Sequence, residues 1–145
     1  MKLLDKFLNL PQNKQFLLIK ACIFVYVVRF ILFIFPIKVV LQYLSYFTKK
    51  THKLNKNNRL SEELILWAIE TVSKFILSTN TCIIKSITAQ ILLTQHGYKS
   101  SLYLGIAKDK VNQKDLQSHA WLESNGKVIV GENMANNYKP ILKIS

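Results

Sequence analysis

The chain has 145 residues, of which 50% are hydrophobic, and it carries a formal net charge of +12. This length and apolar content fit a single domain with one core. The charge suggests an anionic partner, but no zinc finger, RNP motif or similar module accompanies it, so nucleic acid ranks last and we expect none. Two differently placed cysteines make no disulfide framework, and no metal-ligand cluster is present, which favours a reducing cytosolic setting.

Residues 1–50 form an apolar, basic region that we expect to be helical. A helix is expected after Pro11, and residues 21–37 are almost all apolar except for Arg29, with Pro36 interrupting the far end. Three arrangements fit this pattern: a helix packed on the rest of the protein, a helix lying in a membrane interface, or a marginal transmembrane span. We favour the first two combined. The expected location is cytoplasmic, either free or peripheral to the inner face of the membrane.

Residues 51–61 are polar and basic, and we interpret them as an exposed linker to a core formed by residues 62–145. Ser61 followed by two glutamates predicts the start of a helix that reaches about residue 77. Its apolar positions form one stripe, which predicts that Trp67 faces the core; these positions are 64, 67, 68, 72, 75 and 76.

A cysteine begins the next predicted helix. The cap-forming residues 78–81 precede Cys82, apolar residues follow at nearly helical spacing, and Gly97 predicts the end. Unpaired N–H groups and the helix dipole favour a thiolate at such a position, which makes Cys82 a candidate nucleophile. The small residues Ser86 and Ala89 share its helix face and would let a strand come close. A buried core cysteine is the alternative interpretation.

The pair Asn125-Gly126 lies between two β-like runs and predicts a two-residue hairpin turn, because both central residues of such a turn need positive φ. A tight turn at this pair would place Leu122 opposite Ile129.

The same register would place His119 directly opposite Glu132, with their β-carbons about 5 Å apart. The carboxylate could then orient the imidazole, as the third member of a catalytic triad does. The alternative is an ordinary polar pair on a solvated face. Strand alternation puts Trp121 on the same face as His119, where it could line the site or pack in the core.

The order of the predicted elements resembles that of the B2 proteins of lasso-peptide biosynthesis, over roughly residues 64–134. The order is a helix that begins with Cys82, a strand over residues 101–107, the block from His119 to Glu123 and a further strand. These are small transglutaminase-like cysteine proteases that remove the leader from a ribosomally made precursor peptide. The resemblance implies an α+β fold: a transglutaminase- or papain-like core, in which the Cys-headed helix packs on a small antiparallel sheet, with an apolar helical N-terminal region.

By this resemblance Cys82 would be the nucleophile and His119 the general base. The family usually has Asp as the orienting acid near the start of the next strand, whereas this chain has Gly131-Glu132-Asn133. We therefore expect Glu132 to orient the histidine, with Asn133 as the alternative.

The resemblance also implies partners: a precursor peptide as substrate, a separate leader-binding protein, and a ring-closing enzyme that uses ATP. This chain has no phosphate loop, and we expect neither a cofactor nor a metal. Two other functions stay open. One is an acyltransferase with the same triad, and the other is a small basic membrane-associated protein without catalysis.

Overall fold

The computed structural model describes residues 5, 7–51, 60–76, 82–108, 115–132 and 136–145. It has an α+β architecture, as predicted, with a helical layer and an antiparallel sheet. Helices run over Gln12–Ile34 (α1), Ile37–Thr51 (α2), Glu62–Ile76 (α3) and Cys82–Gln95 (α4), and strands over Ser101–Lys108 (β1), Leu116–Ser124 (β2), Lys127–Val130 (β3) and Lys139–Ile144 (β4). The predicted caps at 78–81 and most of the predicted linker lie outside the described residues. The division into 1–50, 51–61 and 62–145 stays a prediction.

Two prolines set the limits of α1. Pro11 precedes its first residue, and Phe35 ends it with an extended backbone, φ −107° and ψ 143°. The residue before a proline is forced out of the helical region, so Pro36 separates α1 from α2 rather than kinking one continuous helix. By length and composition α1 is able to cross a membrane. One of its faces is buried, mainly through Leu17, Ala21 and Val25, and packs on α3 and α4.

The buried face of helix α3 overlaps only in part with the predicted apolar stripe, with which it shares Ala68 and Val72. The buried positions are Ile65, Ala68, Ile69, Val72 and Ser73. The expected burial of Trp67 is wrong: its side chain is 38% exposed, and the Lys14 ammonium lies 5.5 Å from the centre of its ring. Apolar residues occur on more than one side of α3, so the face that packs is chosen by contact with α1 and α4.

The sheet has the strand order β3-β2-β1-β4, and α4 packs against it. Leu102 of β1 and Leu122 of β2 are fully buried, as are Ile87 and Leu92 of α4. The buried Gln90 side chain donates to the carbonyl oxygen of Ile144 at 3.0 Å. The helix is therefore fixed to the sheet by a core and by a hydrogen bond to the edge strand β4.

The hairpin turn is confirmed, but its predicted register is not. Asn125 and Gly126 both have positive φ, 51° and 78°. Pairing follows the tight register at first and then shifts at a bulge, so that Leu122 pairs with Val130 instead of Ile129. The bulge lets the consecutive apolar residues Ile129 and Val130 both pack against the core.

This shift also overturns the predicted pairing of His119 with Glu132. Strand β3 ends at Val130, and the Glu132 side chain is exposed. Asn133, the alternative orienting residue, lies outside the described residues.

Candidate active site

Cys82 is the first residue of α4, as predicted, and its thiol is free and half-buried. The first turn of a helix has backbone N–H groups without intrahelical partners, and these stabilise negative charge nearby. This position therefore suits a thiolate and a developing oxyanion. Glu70 of α3 and Lys85 of α4 form an ion pair, which joins these two helices less than one turn beyond the cysteine. The hydrogen bond from Lys85 lowers the pKa of Glu70 below its usual value.

Small residues bring α4 close to β2, as their shared face predicts. Ser86 and Ala89 are fully buried, and the Ser86 hydroxyl donates to the Ala120 carbonyl oxygen at 3.4 Å. Ser86 lies one turn after Cys82, and Ala120 is next to His119 in the chain. The hydrogen bond thus links the helix face that carries the cysteine to the strand that carries the histidine.

Cys82 and His119 line the same cavity, which has a volume of about 820 Å³. Its wall combines the start of α4, the middle of β1, the first half of β2, the first residue of α2 and two residues at β4. Besides these two residues it is lined by Ile37, Ile83, Leu104, Gly105, Ile106, Gln117, Ser118, Ala120, Tyr138 and Ile141. Glu132 does not line this cavity. The structure therefore brings together two of the three predicted site residues.

The orientation of His119 is set by a backbone carbonyl. Its Nε2 atom lies 3.2 Å from the Gly131 oxygen. A carbonyl oxygen only accepts hydrogen bonds, so Nε2 carries the proton that it donates. In the neutral ring Nδ1 then keeps its lone pair, and this is the atom able to take a proton from a thiol.

Two aromatic rings contact the imidazole. The Trp121 ring is stacked with its centre 6.3 Å from that of His119, and the Tyr138 ring is tilted with its centre 5.1 Å away. The Tyr138 hydroxyl donates to the Gln117 side-chain oxygen at 3.3 Å, which fixes the tyrosine to the strand that carries His119. Both rings limit rotation of the imidazole, so His119 is held in one orientation.

Of the two roles predicted for Trp121, the structure shows packing in the core, since this residue does not line the cavity. It is 4% exposed and stacks on Tyr103 with ring centres 5.6 Å apart, which makes it part of the packing of the sheet. Its other neighbour is His119, so it also supports the site. Gly105, the β1 residue paired with His119, leaves room for the indole: a β-carbon there would come within 2.7 Å of the Trp121 ring.

Gly131 is a site residue that the sequence analysis missed. Its φ of +82° is a left-handed conformation, and a β-carbon there would lie 3.1 Å from His119 Nε2. Glycine therefore allows the chain to turn after β3 with its carbonyl against the imidazole. The signal in the sequence is a glycine directly after a strand, one residue before the predicted acid. Tyr138 gave no such signal, because it reaches His119 only through the fold.

Among the described residues no group of three or more His, Cys, Asp and Glu side chains is placed to hold a metal ion. The chemistry that this cavity offers is that of a thiol at a helix start and an imidazole with a fixed tautomer.

The chain belongs to the transglutaminase-like superfamily: the model of that family matches residues 31–143, from the end of α1 to all but the last residue of β4. Proteins of this superfamily generally carry cysteine protease or acyltransferase activity. No curated protein and no solved structure matches the chain.

Proposed function

We propose that this protein is a cysteine peptidase that removes the leader from a ribosomally synthesised precursor peptide during lasso-peptide maturation. The observation that carries the proposal is the shared cavity of Cys82 and His119, which suits nucleophilic attack on a peptide carbonyl. Membership of the transglutaminase-like superfamily supports the reaction class. The peptide substrate follows from the resemblance of the Cys-headed helix and the block around His119 to the B2 proteins.

Cleavage begins with proton transfer from Cys82 Sγ to His119 Nδ1. The thiolate attacks the scissile carbonyl carbon, and the carbonyl oxygen becomes an oxyanion that the Cys82 backbone N–H stabilises, together with a further donor. The C–N bond then breaks as His119 gives its proton to the leaving amine. The leader remains bound as a thioester on Cys82.

Water completes the reaction. His119 takes a proton from a water molecule, and the resulting hydroxide adds to the thioester carbonyl. The C–S bond breaks, Cys82 Sγ recovers a proton, and the leader leaves with a free carboxylate. Throughout, Gly131 and the flanking rings hold the imidazole in place. The Gly131 carbonyl already accepts from His119 Nε2, so Glu132, whose side chain is exposed, would act as the orienting acid only by turning toward the ring and sharing that N–H. Asn133 is the alternative residue for this role.

The proposal includes partners that this chain does not itself supply. A separate leader-binding protein would deliver the precursor, and an ATP-dependent enzyme would close the ring of the product. We infer from the reducing setting and the free thiols that maturation takes place in the cytoplasm.

A second candidate activity is acyl transfer, because the superfamily includes acyltransferases. The steps are the same up to the thioester, and then an amine replaces water. The product distinguishes the two: hydrolysis releases a leader with a free carboxylate, whereas transfer releases one joined to the acceptor amine.

The test is the intact mass of a candidate precursor peptide after incubation with this protein and the leader-binding protein. We expect loss of the leader with the parent protein and no loss with Cys82→Ala. Cys22→Ala is the matched control, since Cys22 is also free and half-buried but lies in α1. Equal cleavage by Cys82→Ala and the parent would overturn the proposed nucleophile, and no cleavage by any folded variant would favour a non-catalytic role.

A further inference from the structure

Helix α1 has a second apolar face that the described part of the protein leaves uncovered. The residues on it are all between 45% and 88% exposed, and they are Phe16, Ile19, Ile23, Tyr26, Val27, Phe30, Phe33 and Ile34. We call this set the outer face of α1. Exposed apolar patches of such extent on a folded protein mark a surface for a partner or a membrane.

The positions of the outer face form one continuous strip. At about 100° of rotation per residue they fall within an arc about 120° wide, on the side opposite the buried Leu17, Ala21 and Val25. The arc contains no charged residue. Lys20 borders one of its edges and Arg29 the other. Long basic side chains at both edges of an apolar strip are typical of a helix that lies flat at a membrane surface, where the cations reach the headgroups.

The apolar surface continues from α1 onto α2. A groove of about 540 Å³ runs between these helices and α4, and its lining is almost wholly apolar. Val27 of the outer face lines this groove, as does Tyr43 of α2, which is 73% exposed. The uncovered surface is therefore wider than a single helix.

The charges around this surface have one sign. Residues 7–51 contain six basic residues and no acidic residue; the six are Lys14, Lys20, Arg29, Lys38, Lys49 and Lys50. A second copy of the chain would bring this cationic border against itself and is disfavoured for that reason. An anionic lipid surface is complementary to the apolar outer face of α1 and to the basic residues around it, because it offers hydrocarbon to the first and phosphates to the second.

We propose that the outer face of α1 docks the protein in the plane of an anionic phospholipid membrane. The helix lies along the interface instead of crossing it, since its other face supplies Ala21 and Val25 to the core and its apolar length is interrupted by Arg29. If α1 crossed the membrane, the face that carries Ala21 and Val25 would leave the core, and the Arg29 guanidinium would enter hydrocarbon. This inference goes beyond the proposed function and does not depend on it.

Flotation of the full-length protein with preformed vesicles tests the docking. Binding to vesicles of phosphatidylcholine containing phosphatidylglycerol is expected to exceed binding to phosphatidylcholine alone and to weaken as salt rises. Phe30→Glu removes a ring from the centre of the strip, and we expect it to lower partitioning at least about tenfold. Arg29→Gln removes one border charge and lowers it about fivefold.

Phe75→Glu is the matched control, because Phe75 is 63% exposed on α3 and Phe30 is 64% exposed on α1. Circular dichroism checks that both variants keep their helices. Equal binding of Phe30→Glu and the parent, or equal binding to neutral and anionic vesicles, would overturn the proposal. Retention on the vesicles in alkaline carbonate would show a spanning helix, and a dimer in solution that is lost in Phe30→Glu would assign the face to a second copy; either result would overturn docking in the plane.

Discussion

His119 Nε2 lies 3.2 Å from the carbonyl oxygen of Gly131, so a backbone group holds the imidazole from the side away from the proton-accepting Nδ1. The contact depends on the left-handed conformation of Gly131, whose φ is +82°. It allows the ring tautomer to be set before any side chain acts as the orienting acid.

Gly131→Ala is therefore expected to lower activity by more than its loss of stability accounts for. Alanine at positive φ costs about 1–2 kcal/mol, and its β-carbon also crowds the imidazole. Gly126→Ala is the matched control, since its φ is +78° and a β-carbon there meets nothing within 4 Å. Chemical denaturation should show a loss of unfolding free energy in both variants, larger for Gly131→Ala because its β-carbon also meets the Ala120 carbonyl oxygen at 3.0 Å. A loss of kcat/KM of about tenfold or more is expected only for Gly131→Ala. Equal kcat/KM in both variants would refute the role of this carbonyl.

Glu132→Gln tests the orienting acid. We expect it to weaken activity less than Cys82→Ala or His119→Ala, because the Gly131 carbonyl still holds the ring and an amide still accepts a hydrogen bond. Steady-state cleavage rates of the three variants provide the comparison. If Glu132→Gln is as active as the parent, Asn133→Ala becomes the variant to measure; an effect there would move the orienting role to Asn133.

The difference between the predicted and observed register shows what local sequence is able to specify. The turn at Asn125-Gly126 is a local property of two residues, and it was predicted correctly. The bulge that follows allows Ile129 and Val130 both to pack on the core, which involves α4 and leaves no local signal. Beyond it only Leu122 pairs with β3, so His119 has no partner on that strand.

The same distinction holds for the site. Cys82 at a helix start and His119 on a strand were predictable from capping and from the block around the histidine, because both are short-range patterns. Tyr138 and Gly131 contact the imidazole through the path of the chain after β3. The burial of α3 likewise depended on α1, so Trp67 was placed in the core and is found partly exposed.

Gly105→Ala is expected to destabilise the sheet through its contact with Trp121. A β-carbon at this position would lie 2.7 Å from one indole carbon and 2.8 Å from another, which we expect to cost about 1–3 kcal/mol. The measurement is a double-mutant cycle with Trp121→Phe, whose smaller ring relieves the clash. Additive losses in the double variant would contradict this explanation.

Glu70 should make part of the stability depend on acid pH. Its pKa is lowered in the folded protein, chiefly by the hydrogen bond from Lys85, so its contribution is present above the ordinary glutamate pKa of 4.5 and is lost as pH falls through the folded pKa. Because the pair is partly exposed, this contribution is at most about 1 kcal/mol. Denaturation of Glu70→Gln from pH 3 to pH 6 should show a flatter profile than the parent. Glu63→Gln is the matched control, because it removes a carboxylate from the same helix and leaves the pair of Glu70 with Lys85 in place.

The rate of Cys82 alkylation by iodoacetamide at neutral pH tests the central claim most directly, because it needs no precursor peptide. In a Cys22→Ala background we expect Cys82 to react faster than a free thiol of ordinary reactivity, since the helix start and His119 stabilise its thiolate. When His119→Ala is combined with Cys22→Ala, alkylation of Cys82 should be about tenfold slower or more, with the helices intact by circular dichroism. An unchanged rate in that variant would contradict the pairing of Cys82 with His119 on which the proposed chemistry depends.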